Sequence, residues 1–376
     1  MTSWLIIVGW GLGWFLLWHL PGLRTSSRPT PGASPLSGDH DDGPAPHTVS
    51  VIIPARNEAE RLPVLLAALA AQDLPPDQVI VVDDNSTDDT AAVAASFAGV
   101  EVVGVPPVPE GWAGKPWACA SGAQDARGEV LVFLDADVDL DPSALRALLD
   151  TWSTAGGLVS VLPNHHTVRP VEALSLPFNV ISAMGLGVGA VVRPTEEWGA
   201  AGPCMMTALR DYERVGGHTS VAGEVAEDLA LAQHYRAAGM PITCRAGQGI
   251  VRYRMYRDLA GLVEGWSKNV VIGARRAPLV LSVLVATWVT ALLAVGLRLL
   301  DGPTAVGPVD WIAMYGAVAA QLAVLGRRVG RFGPAALVWP VLMVFFIAVF
   351  TLSAVRTLLL REVGWSGRRI AVAGRR

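Results

Sequence analysis

Residues 277–297 run for 21 positions without a charged side chain, and three further stretches come close to doing the same. Trp4–Leu20 gives 17 such residues, Trp311–Leu325 gives 15, and Ala335–Val355 gives 21 with Pro340 inside. A helix of about 20 apolar residues, rising ~1.5 Å each, covers the hydrocarbon core of a bilayer. Such runs restrict the chain to folds that lie partly in a membrane. The charged share of 16% fits, because a soluble domain carries about 25%. A disordered, fibrous or ordinary soluble architecture is excluded on the same ground.

The flanks give an orientation. No base precedes Trp4, while Arg24 and Arg28 follow Leu20. That is the reverse of a cleaved secretory signal, and it predicts an anchor at residues 1–20 with its N-terminus outside. Residues 21–47, with six prolines among Gly, Ser and Asp, read as a tether. Arg275 and Arg276 precede the run at 277, so residues 48–276 are expected in the cytoplasm and 277–360 in the membrane. A basic tail, 361–376, ends the chain. The 301–310 loop carries two Asp and no base, and the 326–334 loop carries three Arg. If every run crosses fully, the terminal arginines fall outside, against the positive-inside rule. One segment is therefore expected to be re-entrant, either the short 311–325 run or the one with Pro340. The apolar stretch 174–192 reads as an interfacial helix.

The net charge of −4 hides two unlike parts. Residues 48–276 hold 27 acids and 17 bases; the remainder holds 6 acids and 12 bases. An acidic domain offers no surface for a nucleic-acid backbone. Three scattered cysteines, Cys119, Cys204 and Cys244, form no zinc or disulfide spacing and fit a reducing compartment.

Within 48–276, short apolar runs (Val49–Ile53, Val79–Val82, Val100–Val103, Val130–Leu134, Leu158–Leu162) alternate with helical patterns. Apolar runs without polar alternation suit strands covered on both faces, so the expected fold is α/β with a mostly parallel sheet. Asn57 with Glu60, and Ser86 with Asp89, read as helix caps, and Asp141 before Pro142 as a helix start. Three polar clusters follow three strands: Pro54-Ala55-Arg56-Asn57-Glu58, Asp83-Asp84-Asn85-Ser86 and Asp135-Ala136-Asp137. Ligands of parallel sheets bind at strand carboxyl ends, so the clusters are expected to share one crevice.

Asp135 and Asp137 together suit a hard divalent cation, Mg or Mn, bridging to a diphosphate. Lys115, one of only two lysines, enters a helix from a Gly-rich turn, a position suited to phosphate. The P-loop pattern is absent. Glu227-Asp228 opens another helix and reads either as dipole-favoured acids or as a site for a general base. Arg252, Arg254, Trp266 and Lys268 form a basic-aromatic cluster before the membrane. It suits a diphosphate and a sugar face or, alternatively, anionic lipid heads.

With these motifs in order, the domain resembles family 2 glycosyltransferases of the nucleotide-diphospho-sugar transferase (Rossmann-like) fold. The similarity rests on SVIIPARNE at 50–58, VVDDNSTDDT at 81–90, GKPWACASGAQDARGE at 114–129, FLDADVDLDP at 133–142, GPCMMTALRDYERVGG at 202–217 and GEVAEDLALAQHYRAAG at 223–239. The resemblance implies that Pro54, Arg56, Glu58 and Asp84 hold the base and ribose of a nucleotide-sugar, with Asp83 a second candidate. It implies that Lys115 meets the diphosphate, that Asp135 and Asp137 meet the metal, and that Asp228 is the base of an inverting transfer. Glu227, Arg254 and Trp266 complete the expected substrate contacts. The anchor, the C-terminal spans and WSGRR at 365–369 are similar to membrane-bound lipid glycosyltransferases of the hopanoid-associated and carotenoid (diaponeurosporenoate-type) kind. That similarity implies a membrane lipid acceptor and a multi-pass protein of the cell membrane. The Q-x-x-R-W pattern of processive synthases is reduced here to Trp266, which favours a single transfer over a polysaccharide synthase. A catalytically silent nucleotide-binding scaffold would not need the full acidic set. No Gly-rich loop of a nucleotidyltransferase follows the first strand.

Overall fold

The computed structural model describes residues 3–24, 47–192, 197–360, 362–365 and 368–371. Residues 25–46 of the tether and half of the basic tail lie outside the described residues. The five predicted strands form as β1 (Val49–Ala55), β2 (Gln78–Asp83), β3 (Val100–Gly104), β4 (Val130–Leu134) and, after the short β5 (Val138–Leu140), β6 (Leu158–Leu162). Downstream come β7 (Asn164–His166), β8 (Cys204–Ala208), β9 (Ile242–Ala246) and β10 (Val251–Tyr253). A seven-stranded sheet has the order β3-β2-β1-β4-β8-β6-β9. All neighbours are parallel except β8, which runs antiparallel to β4 and β6.

Both faces are covered, which is why the strands read as unbroken apolar runs. Val51 and Ile53 of β1 join one core with Leu62, Leu65 and Leu66 of α2 (Leu62–Ala70). The intervening Ile52 joins the other core, as the two-residue period of a strand requires. The second face is closed by α4 (Gly114–Asp125) and α8 (Glu227–Ala237); α3 (Thr90–Ala95), α5 (Ala144–Ala155) and α7 (Leu209–Arg214) complete the domain. Cys119, Cys204 and Cys244 are buried and unbridged.

The three expected caps do not form. Asn57 has φ +56° and stands in a left-handed turn, while α2 begins at Leu62. Its side chain instead accepts from Thr87 N, and its own N–H donates to Ser86 Oγ. Thr90 is bonded by Asp88. Asp141 accepts from Ser143 two residues on, and α5 starts only at Ala144. Short polar side chains offered a turn as an alternative to a helix start, and the turn prevailed.

Among the described residues, three helices are long and apolar enough to cross a membrane: α10 (Leu279–Leu300), α12 (Pro308–Val329) and the Ala335–Leu358 segment containing α13 (Trp339–Ala354). The short α11 (Pro303–Val306) joins the first two. The N-terminal helix, α1 (Ser3–Leu16), spans only 14 residues. It falls short of the expected 17-residue span because the chain leaves the helix there; Trp18 N and His19 N donate to Gly189 O. α6 (Leu176–Leu186), expected as an interfacial helix, packs among α10, α12 and α13 and against α9 (Leu259–Arg276). The segment after α12 returns to the domain, since β11 (Gly330–Arg331) pairs with β7. The far end of Ala335–Leu358 is also fastened on that side: Ser353 Oγ accepts from Val271 N, and Arg356 donates to Ser267 Oγ, both on α9. The chain ends in a hairpin, β12 (Glu362–Trp365) with β13 (Arg368–Ala371), and β12 packs on α9.

One polar knot ties α1 to the bundle. Trp288 Nε1 donates to Gln321 Oε1 at 2.9 Å, and Gln321 Nε2 donates to Trp10 O at 2.8 Å. Both side chains are fully buried, so each bond replaces one that water would otherwise provide. Gly13 permits this approach, because a Cβ there would stand 2.8 Å from Gln321 Nε2. Gly13→Val is therefore expected to destabilise the protein by about 1–3 kcal/mol through overpacking. Thermal unfolding in mild detergent checks it; an unchanged midpoint would contradict the packing.

His218 is buried in the domain, its Nδ1 paired with Tyr212 Oη at 2.9 Å. Burial lowers its pKa from 6.5 to about 4, Glu227 opposing and Lys115 assisting. The folded state holds it neutral, so its stabilisation is complete above pH ~6.5 and is lost as pH falls toward ~4. His218→Gln should lose less stability than the wild type between pH 7 and pH 5, by about 1–3 kcal/mol, in parallel denaturant titrations.

Candidate active site

The carboxyl ends of β1, β2 and β4 open on one cavity of about 810 Å³. Pro54, Arg56, Glu58, Asp84, Lys115, Asp135, Asp137, Glu227, Asp228 and Trp266 all line it. The first two polar clusters are clipped together by backbone chemistry. Arg56 donates to Asp84 O at 2.6 Å and to Asn85 O at 3.0 Å, and Glu58 N donates to Thr90 Oγ1 at 2.8 Å. Asp84 is buried. Asp83 is absent from the lining; its carboxylate accepts from Ser86 N and shapes the turn.

Lys115 sits in the first turn of α4 and bridges two elements. Its Nζ lies 2.7 Å from Asp135 Oδ1 and 2.9 Å from Glu227 Oε1. Burial alone would lower its pKa, but Asp135 and then Glu227 outweigh that and hold it well above the ordinary lysine value. Reciprocally, Lys115 and Lys268 hold Glu227 below the usual carboxylate range against the effect of burial. Asp137 is pushed up to about 7 by burial and by the Asp135 and Glu58 charges. Like charges so crowded disfavour ionisation until a cation joins them.

Asp228 follows Glu227 in the first turn of α8. Its Oδ2 accepts from Gly202 N and its Oδ1 from Leu229 N, both at 2.8 Å. Burial and the neighbouring Glu227 raise its pKa to about 6. It is thus mostly ionised near pH 7 and fixed in orientation. β8 brings the Gly202 end of this contact into place, and Asp135 N donates to Pro203 O at 3.0 Å.

Two expected contacts are arranged differently. Arg254 does not line the cavity; it pairs with the buried Glu172, which without that partner would be an uncompensated charge. Trp266 does line it, but one ring face is stacked on Phe178 at 4.9 Å and its Nε1 donates to Ser175 Oγ at 3.2 Å. Arg61, Tyr256 and Lys268 also line the cavity. Arg61 pairs with Glu58 at 3.0 Å. Lys268 was legible as the second of two lysines; Arg61 and Tyr256 carried no spacing signal, because loops from distant parts of the chain deliver them.

Beyond Trp266 the lining becomes apolar: Ile181 and Leu186 of α6, Val285, Val289 and Leu293 of α10, and Phe346, Ile347 and Phe350 of α13. One cavity thus joins the charged strand ends to the interior of the helix bundle.

Among the described residues no group of three or more His, Cys, Asp or Glu is arranged to hold a metal by itself. The Asp135–Asp137 pair still suits Mg²⁺, which takes one or two carboxylates and completes its shell with substrate phosphate and water.

The model of the family described as glycosyl transferase family 2 matches residues 50–179. The 4,4'-diaponeurosporenoate glycosyltransferase of Staphylococcus aureus is 34% identical over 338 residues, covering 86% of this chain and 88% of that protein. Among solved structures, the mannosyltransferase PcManGT from Pyrobaculum calidifontis, in complex with GDP-Man and Mn2+, superposes with a TM-score of 0.55 at 19% identity over 95% of both chains. That likeness establishes the fold. Together with the strand-end cavity, these similarities lead to one conclusion: the chain belongs to glycosyl transferase family 2 and is a glycosyltransferase.

Proposed function

We propose that the protein transfers one sugar, with inversion, from a nucleotide-diphospho-sugar to a long apolar lipid of carotenoid type that ends in a carboxylate. The observation that carries this reading is the single cavity, charged at the strand ends and apolar between α6, α10 and α13. The name of the Staphylococcus aureus relative supports the acceptor class, and the GDP-Man complex of the fold neighbour supports the donor class.

In this reading the base and ribose lie along Pro54, Arg56, Glu58 and Asp84, with Asp83 shaping the turn beneath them. The diphosphate lies beside Lys115. Asp135 and Asp137 would hold a divalent cation, Mg or Mn, which would supply charge neutralisation at the diphosphate. Lys115 donates to the same oxygens, so its pairing with Asp135 and Glu227 loosens when the donor enters. The acceptor oxygen attacks the anomeric carbon from the face opposite the diphosphate; the bond from that carbon to the diphosphate breaks and its electron pair leaves with the phosphate. An acceptor carboxylate is already ionised near neutral pH and needs no base. Lys268, within electrostatic reach of Glu227 and Asp228, pairs with it. Asp228 then orients the acceptor; with a hydroxyl acceptor it would also take the proton.

The protein is read as multi-pass, with the catalytic domain cytoplasmic. α10 and α12 cross the bilayer, and α1 lies beside α10 with its N-terminus outside. The chain is tied to domain-side elements just before this segment, at Gly330–Arg331, and again at the far end of Ala335–Leu358, which supports reading the Pro340 segment as the re-entrant one. The terminal arginines then stay inside, in accord with the positive-inside rule.

Three outcomes are expected. Asp137→Ala should lower metal-dependent transfer by about 10²-fold or more, as loss of a leaving-group stabiliser does, in assays with purified protein and lipid extract; full activity would overturn the metal assignment. Lys268→Met should raise the KM for an acid acceptor about tenfold or more, the equivalent of ~1.4 kcal/mol, and leave the donor KM nearly unchanged. Asp228→Asn should cost an alcohol acceptor of the same chain about 10²–10⁴-fold and an acid acceptor far less. Equal losses would remove the distinction.

A further inference from the structure

A separate cavity of about 360 Å³ lies where the bundle meets the domain and shares no lining residue with the larger one. His19, Asn164, Gln248, Arg327, Arg328 and Arg331 contribute to its lining, and no acid does. Several arginines elsewhere in the domain and on α9 have carboxylate partners, among them Arg61 with Glu58, Arg252 with Asp139, Arg254 with Glu172, Arg257 with Glu60 and Arg276 with Glu224. Arg327, Arg328 and Arg331 form no ion pair among the described residues. Arg328 carries its guanidinium 6.0 Å over the Trp18 ring. Its Nη1 is buried and has no hydrogen-bond partner.

Two ordinary causes account for part of this. Arginine at a helix C-terminus is favoured by the dipole, which covers Arg327 and Arg328 at the end of α12. A long basic side chain at a membrane edge also reaches outward to water, which covers the exposed Arg327 and Arg331. Neither explains three positive charges around one cavity with a buried N–H left unmatched. An unsatisfied buried donor on a charged group is costly, and like charges brought together repel. A guanidinium fork matches phosphate oxygens in pairs. Gln248 is already engaged, donating to Leu20 O at 2.9 Å, so the arginines, beside His19 and Asn164, are the donors that remain for an anion.

The position selects the source of that phosphate. The apolar run of α12 ends at Leu325, two residues before Arg327. Trp18 beside it is 59% exposed, as an aromatic at a bilayer interface is. The cavity thus sits at the level of lipid phosphates on the domain side. We infer that it binds the phosphodiester of an anionic phospholipid, with Arg327, Arg328 and Arg331 around the phosphate and the tails against α1 and α12. The three positive charges disfavour a zwitterionic headgroup that carries its own cation. This site is independent of donor and acceptor chemistry.

The test uses the full chain in uncharged detergent, titrated with short-chain phosphatidylglycerol, short-chain phosphatidylcholine or inorganic phosphate, with the thermal midpoint as readout. Phosphatidylglycerol should raise the midpoint saturably, and phosphatidylcholine should need at least tenfold more. The Arg327→Gln/Arg331→Gln double variant changes only exposed side chains; it should shift the phosphatidylglycerol half-saturation at least tenfold while binding donor nucleotide as the wild type does. Arg328→Gln should abolish the response if it folds, and the double variant decides if it does not. Equal potency of the two lipids, or an unshifted double variant, would overturn the site. Inorganic phosphate saturating below phosphatidylglycerol would overturn the headgroup assignment in favour of a soluble phosphate.

Discussion

Lys115 stands 2.7 Å from Asp135 and 2.9 Å from Glu227, and that shared charge joins the end of β4, the start of α4 and the first turn of α8. Without the cation, carboxylates at the same strand ends would repel across a half-buried space. With it, Asp135, Asp137 and Asp228 are kept at one opening, and the crowding that remains shows in the raised pKa of Asp137. The site is an electrostatic assembly held slightly out of balance toward the negative. In the proposed reading, a divalent cation and a diphosphate would offset that imbalance together.

The second constraint is the seam between an acidic domain and an apolar bundle. α9 spans it. Trp266 and Arg276 fasten the helix to Ser175 and Glu224 of the domain, while Val271 and Ser267 receive the end of the Ala335–Leu358 segment. In the proposed reading, a lipid acceptor would have to pass from hydrocarbon to charged groups without exposing its chain to water. Lining one cavity with α6, α9, α10 and α13 meets that requirement, because apolar residues from the bundle and polar ones from the domain share the same wall.

Much of the fold was legible in order along the chain. Apolar runs covered on both faces marked the sheet, the polar clusters marked strand ends, and the charge-free stretches marked the bundle. The caps misled, because Asn57, Ser86 and Asp141 hold turns that a capping pattern imitates. Asp83 and Arg254 misled for a related reason: a charged residue in the right motif can be spent on its own turn or on a buried partner such as Glu172.

Local composition alone determined which segments shun water, which ends of strands carry carboxylates, and that Lys115 and Lys268 are scarce enough to matter. Those properties belong to neighbouring residues and survive without any fold. The tertiary structure decided everything that depends on distant segments meeting. It placed β8 between β4 and β6, so that Gly202 orients Asp228. It paired β11 with β7 and gathered around one cavity three arginines that form no ion pair among the described residues. Contacts across a hundred or more residues are set by how layers pack, and spacing in one dimension does not encode which layers will touch.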